Sequence, residues 1–65
     1  MKIITDKNEA LIAVKQDGLS LMYTSERLQD NEKIVKIAVS QNGEALEYAS
    51  DRLRDDVELQ KLTNN

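Results

Sequence analysis

A chain of 65 residues makes at most one small domain, and one of this size buries only about 60% of the surface its unfolded form exposes. It has no cysteine and no histidine, which excludes disulfides, zinc sites of the Cys/His type and histidine catalysis. Twelve acidic against nine basic residues give a net charge of -3, which disfavours nucleic acid and anionic membrane as partners because phosphate binding needs a basic face.

No proline, two glycines and abundant Ala, Leu, Lys, Glu and Gln favour helix. The first long helix is predicted from about Asp6 to Gln16, with Thr5 or Asp6 as cap, and Asp6 with Glu9 has the spacing of a capping box. Its apolar run, Ala10 to Val14, has no clean period. After Gly18, Leu19 to Thr24 fits a helix of one or two turns, and Ser25 then caps a further turn through Leu28.

The stretch Leu28 to Gly43 is the hub. Ile34, Ile37, Ala38 and Gln41 fall at i, i+3, i+4 and i+7, and Val35 and Val39 widen the apolar stripe to that of a helix with neighbours on two sides. Asp30 is the expected N-cap, and Gly43 is expected to end the helix by entering a left-handed conformation. Glu44 to Ala49 and Ser50 to Leu53 repeat the pair of short helices. A last helix is expected after Asp55, with Asp55 and Glu58 as a capping box and a narrow inner stripe of Leu59 and Leu62. Asp17-Gly18 and Asn42-Gly43 also suit hairpin turns, but their flanks lack alternation, so they are read as helix ends.

Sliding the sequence against itself by 25 residues exposes an internal match. Ala13–Ile37 and Ala38–Leu62 agree at 11 positions, where chance supplies roughly one or two. The agreement includes Gly18 with Gly43, Leu21 with Leu46, Tyr23 with Tyr48, Ser25 with Ser50, Arg27 with Arg52 and Asp30 with Asp55. Units are placed at about 5–29 and 30–54, with a partial unit at 55–65.

The pattern AVSQNGEALEYASDRLRDD, preceded by DNEKIVKI, resembles the domain of unknown function 4116 repeat family, with AVKQDGLSLMYTSERLQD as a poorer copy. The resemblance implies an all-helical tandem repeat, usually found in arrays, and no activity. In the poorer copy Thr24 stands at the position of Ala49, and Glu9 at that of Ile34 and Leu59, which makes the first long helix a polar edge.

Candidate chemistry is sparse. Tyr23 and Tyr48 read as rings laid over helix junctions rather than stacking platforms. Asp30, Asp55, Asp56, Glu32, Asp51 and Glu58 stand near helix starts, where capping and dipole complementarity account for them; neither glycine sits in a calcium loop. Arg27 and Arg52 are read as structural ion pairs or solvated groups, and Ser25 and Ser50 as caps.

The expected fold is all-α, a short tandem helical repeat with one long and two short helices per unit. Its expected core is Ile12, Ala13, Leu21, Leu28, Ile34, Ile37, Ala38, Leu46, Ala49, Leu53, Leu59 and Leu62. The expected role is a non-catalytic protein–protein interaction module with no cofactor and no metal. Its interaction surface is placed on Ile3, Ile4, Leu59, Leu62, Arg27 and Arg52, its partner is protein, including a second copy through open repeat ends, and neither nucleic acid nor membrane is expected. The alternative is a self-associating spacer or a fragment of a longer array; a carboxylate or metal-dependent enzyme is least favoured. With no bilayer-length apolar run and no basic-then-apolar leader, a cytoplasmic setting is expected.

Overall fold

The computed structural model describes residues 2–63. Among them are three α-helices at the long-helix positions, α1 (Lys7–Gln16), α3 (Glu32–Gln41) and α5 (Val57–Leu62), with two short ones, α2 (Glu26–Gln29) and α4 (Asp51–Arg54). Two 3₁₀ helices, η1 (Gly18–Tyr23) and η2 (Gly43–Tyr48), complete the all-α chain. The elements α3, η2 and α4 begin 25 residues after α1, η1 and α2, the same offset as the sequence match. Asn64 and Asn65 of the expected partial unit lie outside the described residues.

Each helix start has a side-chain acceptor. Asp6 Oδ2 accepts from Glu9 N–H at 2.9 Å, so the Asp6 half of the expected capping box forms. Asp17 and Asn42 each serve two helices. Their backbone N–H groups close α1 and α3 on the Ala13 and Ala38 carbonyls, while their side-chain oxygens accept from Leu19 and Glu44 N–H to open η1 and η2. Both are extended, with φ near -150°, and neither glycine has a positive φ. The glycines therefore do not end the helices by a left-handed turn. Close approach requires the first of them instead: a Cβ on Gly18 would stand 2.3 Å from the Ala38 carbonyl oxygen, whereas one on Gly43 would stand 3.2 Å from Thr63 Cα.

Two caps shift by one residue from expectation. Asn31, not Asp30, caps α3, its Oδ1 accepting from Ile34 N–H at 3.1 Å. Asp56, not Asp55, caps α5, accepting from Glu58 and Leu59 N–H. Adjacent short polar side chains compete for each site, and the turn closing the preceding helix uses the first of them. Of the segment Leu19–Thr24, residues 19–23 wind as 3₁₀ rather than α, and Thr24 is the extended C-cap of that helix.

The core runs through Ala10, Val14, Leu21, Leu28, Ile34, Val35, Ala38, Val39, Ala45, Ala49, Leu53 and Leu59. Helix α3 supplies four of these and packs against α1, η1, η2, α2 and α5, which makes it the hub. Ile37, Leu46 and Leu62 pack on the core half-buried, and Gln41 is exposed. Ile12 departs from expectation at 61% exposed, and Ala13 is only half-buried. Ala10 and Val14, four apart, take the inner face of α1, which turns Ile12 some 200° away by helix geometry. Glu9 is exposed, as a polar edge requires.

Candidate interaction surface

The most developed polar constellation joins the end of α2 to the start of α4. Ser50 N–H donates to the Gln29 carbonyl at 2.9 Å, which brings the α4 cap onto the α2 turn. Ser50 Oγ donates to Asp30 Oδ1 at 2.6 Å while accepting from Leu53 N–H at 3.4 Å. Arg52 Nε donates to the same carboxylate oxygen at 3.1 Å, and its Nη2 to the Asp30 carbonyl at 3.0 Å. The Ser50 hydroxyl does most to hold the Asp30 carboxyl below its ordinary range; burial opposes it, and the Arg52 hydrogen bond and charge add to the lowering. Arg52 and Asp30 side chains are 64% and 49% exposed, so solvent screens the pair and its main work is to fix register.

The chain start makes a simpler version of this tie. Ile4 N–H donates to the Tyr23 carbonyl at 2.7 Å, Ser25 N–H donates to the Ile4 carbonyl at 2.9 Å, and an isolated parallel bridge pairs Ile4 with Thr24. Thr5 stands where Asp30 stands one offset later, so Arg27 has no acid there and makes no ion pair among the described residues. Buried Thr24 donates through Oγ1 to the Leu21 carbonyl at 2.8 Å, and the Gln29 amide bonds both the Leu21 and Thr24 carbonyls. These local bonds were not visible in the residue pattern; Thr24 in place of Ala49 was their one trace.

The six residues placed on an interaction surface by sequence do not form one patch. Ile3 is 47% exposed, whereas Ile4 is half-buried and tied to Tyr23 and Ser25. Leu59 is 3% exposed on the inner face of α5, so it belongs to the core. Leu62 is half-buried in a groove of about 190 Å³ shared with Glu32, Lys36, Asp56 and Glu58. Arg27 is exposed, and Arg52 is engaged by Asp30. Ile12, Tyr23 and Val57 are also exposed, at 61, 39 and 63%, and nothing in the residue pattern marks them as surface residues. Among the described residues no three acidic side chains gather where a metal ion could sit, and no helix is long and apolar enough to cross a membrane.

A second feature lies beside η2. Gly43, Glu44, Leu46, Glu47, Arg54 and Thr63 line an open recess of about 250 Å³. One offset earlier, Leu21 is fully buried and η2 packs on η1; Leu46 is only half-buried. A family model described as domain of unknown function (DUF4116) matches residues 6–58. The chain belongs to this family. No curated protein and no solved structure matches it. The DUF4116 match opens on Asp6, the cap of α1, and closes on Glu58 in the first turn of α5, so it takes in both 3₁₀ helices and the whole Asp30–Ser50–Arg52 tie. The half-covered recess lies at the same edge of this DUF4116 domain, with Thr63 just past the matched stretch.

Proposed function

We propose that this chain is a non-catalytic protein–protein interaction module, built as a tandem helical repeat. The observation that carries the reading is the contrast between Leu21 and Leu46. They are the same residue at the same 3₁₀ position, yet one is fully buried under a following element and the other is half-open beside a recess. Apolar surface left beside a concave site is what a partner covers. The equal 25-residue spacing of elements supports the repeat reading, because stacked units of this size present extended surface with each unit touching only its neighbours.

The test is a photo-crosslinking side chain placed at Glu47, on the recess, and separately at exposed Lys33 as control. The module reading expects a defined protein captured through Glu47 and not through Lys33, which then binds the purified chain. No capture from either position overturns it. A spacer that associates with itself is the second reading, favoured by exposed Ile3 and Ile12, and is distinguished by solution mass across a concentration series.

A further inference from the structure

One junction within the chain is complete, and the acceptor half of another is present. In the complete one, η2 packs on η1, whose Leu21 is fully buried, Gly18 lies against the end of α3 at Ala38 and Asn42, and the start of α4 donates to the Gln29 carbonyl and to Asp30. Twenty-five residues later the same positions are Gly43, Leu46, Arg54 and Asp55. Gly43 and Leu46 are half-buried on the recess, and Asp55 is exposed, its carboxylate in no hydrogen bond or ion pair among the described residues. The Arg54 carbonyl, counterpart of that of Gln29, accepts instead from the exposed Gln60 side chain at 2.9 Å.

We propose that this edge is the docking surface for a partner polypeptide presenting a 3₁₀ turn of the form Gly-x-x-Leu-x-Tyr followed by Ser-x-Arg. The inference rests on the interaction-module reading and names its partner class. The turn sits in the recess on Leu46 as η2 sits on η1, beside Gly43 and Thr63, which line that recess. The serine backbone N–H takes the Arg54 carbonyl from Gln60. The serine hydroxyl and the guanidinium donate to the Asp55 carboxylate, an anion matched to a planar cationic donor. A second copy of this chain fits the edge less well. Its own Ser25 already donates to Ile4, its Arg27 lies by Thr5, and its first long helix carries Glu9 where the core helices carry Ile34 and Leu59.

The probe is a capped peptide of residues 41–54, QNGEALEYASDRLR, titrated into the isotope-labelled full chain and followed by amide shifts. A free segment must order as it binds, so a Kd of about 1 mM is expected. The expected result is saturable shifts at Gly43, Leu46, Asp55 and Thr63, affinity lowered at least about fivefold by Asp55→Arg, and recovery when that variant meets a peptide carrying Arg52→Asp. As a second measurement, the same segment joined by a flexible linker after Asn65 raises the denaturation midpoint in an Asp55-dependent way, because tethering supplies an effective concentration in the mM range. Silence in both measurements, or effects indifferent to Asp55, overturns the proposal. So does self-association of the unmodified chain that Asp55→Arg abolishes, which puts a second copy on the edge. Capture through Glu47 of a protein without such a segment, with the peptide silent, leaves the module reading standing and removes this partner class.

Discussion

Gly18→Ala and Gly43→Ala form a matched pair that separates backbone contact from backbone preference. Both glycines open a 3₁₀ helix, both follow an extended Asp or Asn cap, and neither has a positive φ. Alanine is conformationally acceptable at each and shrinks the unfolded ensemble, a gain of about 0.4–1 kcal/mol at either site. The surroundings differ. At position 18 the new methyl meets the Ala38 carbonyl oxygen at 2.3 Å, with Asn42 N at 3.1 Å and Ala38 C at 3.2 Å, all backbone of α3 and its C-cap. Relief requires η1 and the hub helix to part by about 1 Å, and overpacking of this kind costs about 1–3 kcal/mol. At position 43 the nearest atoms belong to Thr63, at 3.2 Å, beyond the last turn of α5, where a few tenths of an ångström are readily given. Because the conformational gain is common to both, the difference between the variants reads the contact: Gly18→Ala is expected to be less stable than Gly43→Ala by about 1–3 kcal/mol. For a domain of this size each kcal/mol corresponds to roughly 4–8 °C in Tm, so thermal unfolding by circular dichroism resolves it. Equal stabilities, or a more stable Gly18→Ala, refute the argument that glycine is present for close approach.

Two further outcomes follow from the caps and the tie. Asn31→Ala removes the acceptor for Ile34 N–H and is expected to cost about 1 kcal/mol in chemical denaturation; an unchanged midpoint would return the cap of α3 to another residue. Asp30→Asn is expected to lower stability at neutral pH. Since folding holds the Asp30 carboxyl below its ordinary 3.8, the wild-type advantage is present above that pH and fades as pH falls through the lowered value. Denaturation midpoints of both proteins from pH 7 to pH 2 check this, and a gap that persists undiminished at the acid end refutes it.

Much of the fold is legible because its punctuation is chemical. Asp6, Asp17, Ser25, Asn42 and Ser50 are short acceptors at element boundaries, and the 25-residue match assigns to helix what the apolar run Ala10–Val14 leaves open. That run also explains the main error. Five successive apolar residues define no face, so the pattern puts Ile12 and Ala13 in the core and leaves out Ala10 and Val14, and packing against α3 reverses that choice. The caps of α3 and α5 slipped by one because Asp30-Asn31 and Asp55-Asp56 offer two acceptors side by side. For the surface, recurrence marked Ser50, Arg52 and Asp30 individually but held no sign that they meet across 20 to 22 residues. Leu59 is apolar and near the chain end, which suits surface and core alike; it lies buried on the inner face of α5.

The hub helix has a consequence for how such a chain can be divided. Cut between α2 and α3, it yields a first piece whose Val14 and Leu21 have lost the surface they pack on, and a second whose Ile34 and Val35 are laid bare. Helices of ten residues or fewer do not persist alone in water. Neither half is then a folded object, and the smallest inheritable piece with an interior is two long helices with the 3₁₀ turn between them.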